Sequence, residues 1–275
     1  MEATLLQNLL SAALSSIYCR RAECSIFTFN MRKERMKLKT GIKELDELIG
    51  GGIEAGSRNI LYGPPGTGKT VFAMQFLWQG LQQGETVAYD VMDKPFPRLI
   101  AYFKSFGWDI EPYIDKGKFI AIQAFPHFSP FPKDPRVTYF SLDDFEEMKR
   151  IDKFLISANH VTRFAAGDFS EHLFALYELK YAELLEDWTI NWSHYDDIVN
   201  IDVMTAATQK DAATQRATDL DLNKAHNIFF FRFNEETRQR EMRIVKMEGC
   251  EHPLGWIPFK ITHRGIELLG QTKGK

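Results

Sequence analysis

Apolar positions recur along this chain with two periods, one helical and one extended. From Val71 to Gln83 the residues Phe72, Ala73, Phe76 and Leu77 return at three- and four-residue steps, which predicts a helix, and Gly84 is its stop. The same period predicts helices over Pro97 to Phe106 (Leu99, Tyr102, Phe103, Phe106 inward) and over Leu142 to Ala158 (Leu142, Phe145, Met148, Ile151, Leu155 inward). A further helix is expected from a Ser170 cap to about Trp188, and residues 209–225 read as a polar helix. Short β-branched and aromatic runs predict strands at Ile60–Tyr62, Thr86–Met92, Lys118–Phe125, His160–Ala166 and Ile198–Met204. Residues 126–135 hold four prolines and read as a surface loop.

After residue 226 the helical period disappears. Asn227–Phe233 and Glu241–Met247 flank a polar turn and predict a hairpin, and Ile257–Thr262 and Gly265–Leu269 predict two more strands. Strand–helix units followed by antiparallel strands predict an α/β fold: a mostly parallel central sheet flanked by helices, with a C-terminal antiparallel β-hairpin. Near the start, Leu45, Leu48 and Ile49 have helical spacing before Gly50, Gly51 and Gly52 break the segment and turn it toward the sheet.

Residues 1–35 differ from the rest. They combine an amphipathic patch with Cys19 and Cys24 and the basic residues Arg20, Arg21, Arg32, Lys33 and Arg35. They read as an N-terminal leader or an extension upstream of a start at Met31 or Met36, with a docking helix as the alternative. The remaining residues, 36–275, read as one domain, and 275 residues suffice for a large α/β domain with such an appendage.

Composition narrows the function. A hydrophobic share of 44% and a charged share of 26% fit a globular protein, and a net charge of −3 gives no general case for nucleic-acid binding. Cys19, Cys24 and Cys250 form neither a disulfide framework nor a metal spacing, so a reduced, cytoplasmic protein is expected. No apolar run approaches a membrane span, and Leu5–Tyr18 lacks the basic start of a signal peptide. The seven histidines show no metal-ligand spacing.

The chemistry concentrates in Gly63-Pro64-Pro65-Gly66-Thr67-Gly68-Lys69-Thr70, which fits the phosphate-loop pattern G-x-x-x-x-G-K-[ST] between a predicted strand and a predicted helix. Glycines let backbone N–H groups approach an anion closely, and the following helix adds unpaired N–H groups and the positive end of its dipole. In such a loop Lys69 reaches the β- and γ-phosphates, and the Thr70 hydroxyl binds Mg²⁺. A nucleotide is therefore the expected ligand. The open carboxyl ends of the predicted strands also bring the loop, Asp93 and Asp168 to one edge.

Thr40-Gly41-Ile42, Leu45-Asp46-Glu47-Leu48, Gly50-Gly51-Gly52 and the loop itself resemble the opening of KaiC-like ATPases of the RecA superfamily. Ser105-Phe106-Gly107-Trp108-Asp109 resembles a stretch of their archaeal members. Met242 to Gly249, His252, Pro258 to Thr262 and Gly265-Ile266 resemble their closing hairpin and last strands. The resemblance spans roughly residues 38–269. It implies a RecA-like P-loop core, MgATP as ligand, and a homo-oligomer, with a hexameric ring carrying ATP at each interface as the candidate form.

The family's other functional positions transfer with changes. Where it has two acidic residues after the second strand, one activating the attacking water, this chain has Asp93 and Lys94. The Mg²⁺-side acid has two candidates. Asp168 leaves room for a further helix and strand before the hairpin and is favoured on spacing, while Asp202 lies in the more apolar run. Ring-forming relatives carry Lys-x-Arg on the hairpin, reaching the neighbouring subunit's γ-phosphate. Here Lys246 matches, but Glu248 stands at the arginine position. The implied reaction is attack of water on the γ-phosphate, with Lys69, Mg²⁺ on Thr70 and Asp168, Asp93 positioning the water and Lys246 acting in trans. The altered positions predict weak or lost hydrolysis and a regulatory role toward a protein partner. A RadA-paralogue-like DNA recombination accessory and a non-hydrolysing interaction module are the alternatives.

Overall fold

The structure, a computed structural model, describes residues 36–91, 94–125, 132–141, 160–167, 197–205 and 221–270, with a few single positions between them. Residues 1–35 and the predicted helices at 142–158 and 170–188 lie outside the described residues, apart from single positions.

The chain enters through β1 (Lys37–Leu38), α1 (Lys43–Leu48) and β2 (Ile53–Glu54), with β1 and β2 paired antiparallel. It continues through β3 (Arg58–Gly63), α2 (Lys69–Gln82), β4 (Thr86–Asp90), α3 (Phe96–Ser105), α4 (Glu111–Asp115) and β5 (Phe119–Phe125). Then come β6 (Val137–Ser141), β7 (Val161–Gly167), β8 (Val199–Thr205), β9 (Asn227–Asn234), β10 (Gln239–Met247), β11 (Ile257–Thr262) and β12 (Gly265–Leu268). The main sheet has ten strands in the order β12-β11-β10-β9-β3-β8-β7-β4-β5-β6. The seven from β9 to β6 are parallel, and β10, β11 and β12 add antiparallel strands beyond β9. This is the mostly parallel, RecA-type architecture expected, with β3 near its centre.

Two local features were not predicted. β6 extends the parallel sheet beside β5, directly after the proline-rich stretch. The two-residue strands β1 and β2 clasp the glycine break, and such short pairings leave no periodic signal.

α2 is apolar nearly all round, and Phe72, Ala73, Met74, Phe76 and Leu77 are fully buried beneath the sheet. Phe72 packs against Phe229 and Phe231 of β9 at ring-centroid distances of 5.6 and 5.9 Å. Gln75 fastens the two ends of the domain to this helix. Its Nε2 donates to the Gly41 carbonyl (2.8 Å) and its Oε1 accepts from the Ile266 N–H (2.7 Å). In α1 the Asp46 carboxylate accepts the Thr40 N–H and hydroxyl, both at 2.8 Å. Burial pushes the Asp46 carboxyl above its ordinary range against the pull of those two bonds.

Arg163, at the start of β7, is fully buried. It binds Glu85 through Nε (2.7 Å) and Nη2 (2.9 Å), donates to the carbonyls of Lys39 and Phe76, and lies 4.4 Å from the Phe76 ring. Burial pushes the Glu85 carboxyl upward, but the Arg163 bonds and charge and the Thr162 hydroxyl outweigh it and hold the group below its ordinary range.

Candidate functional site

β3 ends at Gly63, where the phosphate loop begins, and α2 begins at Lys69. Gly63 has φ +151°, and a Cβ there would fall 2.2 Å from the Phe231 carbonyl oxygen of β9. Only a residue without a side chain lets the loop leave the sheet this close to its neighbour. Gly68 caps α2 in the left-handed region (φ 108°, ψ 4°), against Phe259 and Ile261 of β11. Among the described residues no side chain caps this helix N-terminus. Its first N–H groups therefore face the loop, the arrangement that binds an anion.

The Lys69 ammonium sits inside the loop, donating to the carbonyls of Gly63 (2.6 Å) and Pro64 (2.8 Å), and the residue is 5% exposed. The Thr67 hydroxyl donates to the Pro64 carbonyl at 2.8 Å. Thr70, half-buried in the first turn of α2, follows directly. Pro64, Pro65 and Gly66 form the exposed rim. Left-handed glycines, a buried lysine and a helix N-terminus together fit a triphosphate. In loops of this pattern a hydroxyl in the first turn is the group that offers Mg²⁺ a ligand.

The carboxylates assigned from sequence are placed less completely. β4 runs to Asp90 and β7 to Gly167, so both strands lead toward the expected acids, but Asp93 and Asp168 lie outside the described residues. Asp202 is within β8, paired in register with Ile60 and three residues before the strand's end. Its Oδ2 accepts from Arg58 Nε at 2.9 Å and lies 2.8 Å from Nη2, while Asp221 binds the same guanidinium at 2.5 Å. Burial, opposed by Arg58 and reinforced by Asp221, pushes the Asp202 carboxyl above its ordinary range. Asp202 is thus held by an arginine near the amino end of the strands, away from the loop. No group of three or more His, Cys, Asp or Glu side chains that could hold a metal occurs among the described residues.

The β9–β10 hairpin carries Lys246 away from its own chain's loop. β10 is antiparallel to β9, and Lys246 pairs with Ile228, beside Ile60, after a bulge at Val245. Its ammonium donates to the Ala225 carbonyl (2.5 Å) and pairs with Glu248 (2.9 Å). The other end of β10 approaches the loop instead, where Arg240 Nε donates to the Gly66 carbonyl at 3.2 Å. Sequence reasoning passed over Arg240. The signal was a basic residue in phase with the inward-facing Met242 and Ile244 of the same strand.

A family model described as "ATPase: KaiC" matches residues 38–162. A UPF0273 protein of Thermotoga maritima is 31% identical over 248 residues, covering 87% of this chain and 98% of that protein. Circadian clock protein KaiC3 of Synechocystis is 28% identical over 238 residues, which is 85% of this chain but 45% of that protein. The chain therefore spans about half the length of the KaiC proteins it matches. Among solved structures, a KaiC-like protein of Pyrococcus horikoshii OT3 superposes with a TM-score of 0.66 at 25% identity, covering 86% of this chain and all of that one.

Proposed function

The chain belongs to the KaiC-like ATPases of the RecA superfamily, and from that premise we propose that it binds MgATP in the Gly63–Thr70 loop and uses nucleotide state to control its assembly or the binding of a protein partner, with slow turnover. The observation that carries this reading is the loop itself. Two left-handed glycines flank it, the Lys69 ammonium is buried within it, and the uncapped N-terminus of α2 stands behind it. In this reading Lys69 and the loop N–H groups hold the phosphates. Thr70 and Asp168 hold Mg²⁺, which neutralises charge on the phosphate oxygens when bound. Asp93 positions the attacking water.

Slow turnover is supported by the hairpin. Lys246 is the residue proposed to act in trans, and it is paired with Glu248 where ring-forming relatives carry an arginine. At an effective dielectric of about 20, a unit charge roughly 5 Å from another contributes on the order of 3 kcal/mol. A carboxylate in place of a guanidinium therefore removes, and reverses, a sizeable part of the stabilisation of transferring phosphate.

The test is mass in solution and phosphate release recorded together, with and without MgATP. The reading expects a homo-oligomer, a hexameric ring in its simplest form, whose population responds to MgATP while phosphate appears slowly. A chain whose mass and turnover both ignore MgATP would overturn it.

A further inference from the structure

The register of the hairpin decides which side chain stands at the mouth of the loop. Arg240 pairs with Phe233 on one flank and with Phe259 on the other. Directly paired residues project from the same face of a sheet, so these three form one cross-strand row. That face carries Met242 and Ile244 farther along β10, both fully buried against the side of the sheet that packs on α2. Arg240 continues their inward phase one step past the core, where the face emerges beneath the phosphate loop. There its Nε reaches the Gly66 carbonyl, 174 residues distant in sequence.

The Gly66 carbonyl belongs to the peptide that also carries the Thr67 N–H. A trans peptide is planar, with its C=O and N–H directed to opposite sides. Whatever holds the oxygen therefore also fixes the Thr67 N–H, on the opposite side of the peptide. Gly66 is exposed, has φ +76°, and has no heavy atom within 4 Å of where a Cβ would stand. The Cβ side of Gly66 is thus open among the described residues, and a glycine is the residue most free to rotate this peptide. Among the described residues the Arg240 guanidinium is the one side chain bonded to that carbonyl, and Arg240 makes no ion pair there.

We propose that Arg240 is a positioning residue for nucleotide binding in cis: it clamps the 66–67 peptide so that the Thr67 N–H is preset for a phosphate oxygen, and it leaves a fixed positive charge at the loop's rim. The inference rests on the reading of the loop as a MgATP site. It assigns the two ends of one strand different tasks, Arg240 serving its own chain's loop and Lys246 a neighbour's.

The experiment is an equilibrium titration of wild type, Arg240→Ala, Arg240→Lys and Lys69→Ala with MgATP and with MgADP, together with melting of each nucleotide-free protein. Arg240→Ala is expected to weaken both nucleotides by about tenfold, the loss that follows from one charge-assisted hydrogen bond. Its nucleotide-free melting temperature is expected to match wild type, and Arg240→Lys, which keeps a charged donor, is expected to recover most of the affinity. If Arg240→Ala binds as wild type does while Lys69→Ala does not bind, the clamp is wrong and the ATP site stands. A loss of affinity accompanied by a lowered melting temperature and not recovered by lysine assigns Arg240 to the fold and also overturns the proposal. If wild type binds neither nucleotide, the reading of the loop fails and the clamp with it.

Discussion

At the amino ends of β3, β8 and β9 polar side chains answer one another. Arg58 is shared by Asp202 and Asp221, and its N–H donates to His226 Nδ1 at 3.0 Å. Asn59 donates to the Ser57 and Asn200 carbonyls at 3.0 and 2.9 Å and accepts from Asn227 at 2.7 Å. At the carboxyl end of β3 the polar groups belong mostly to the backbone, carried by glycines and a helix N-terminus, and the buried cation Lys69 rests on carbonyls. Polar groups that satisfy each other hold strands together, whereas donors directed outward by backbone conformation are available to a ligand. The comparison separates the residues of the fold from those of the site, although both sets are polar and buried.

The largest effect is expected from breaking the closed edge. Arg58→Ala leaves two buried carboxylates without their cation and should cost about 3–5 kcal/mol in urea unfolding, while the folded fraction binds MgATP with unchanged affinity. Gly63→Ala attacks the junction of the two edges. It places a Cβ against the Phe231 carbonyl in a left-handed backbone, and should cost roughly 1–3 kcal/mol and remove measurable ATP binding together. If Gly63→Ala binds ATP normally, the open edge does not depend on that approach.

Acid titration separates a third polar cluster from both edges. Glu85 has a folded pKa below its ordinary value of 4.5, so its stabilisation is fully present above that value and is lost as pH falls through the folded pKa. Unfolding of wild type and Glu85→Gln followed by circular dichroism should differ at neutral pH and converge only as pH falls below 4.5 through the lowered folded pKa. A constant difference across that range would mean that Arg163 does not depend on the Glu85 charge. The smallest effect on stability is expected from Glu248→Arg, within about 0.5–1 kcal/mol, because its pair with Lys246 is partly exposed. The same change should raise phosphate release, and unaltered release would remove the trans contact.

The loop, the buried helix and the closing hairpin were legible because each carries its own local signal: fixed glycine spacing, a helical apolar period, and alternation around a polar turn. Asp202 shows the limit of such signals. An acid in an apolar strand looks the same in sequence whether it faces a metal or an arginine, and Arg58 lies 144 residues earlier. Arg240 was missed for the same reason, since its position depends on hairpin register and on a loop distant in sequence. β6 was obscured because Val137–Ser141 follows prolines that mark a loop, and a five-residue edge strand has too few positions to assert a period.

The most direct measurement is the affinity of the nucleotide-free chain for MgATP, by calorimetric titration, beside that of Lys69→Ala at equal melting temperature. The account predicts one nucleotide per chain for wild type and binding weakened at least about tenfold in the variant, the loss of a charge-assisted contact to phosphate. Equal binding by the two proteins, or none by wild type, would contradict it.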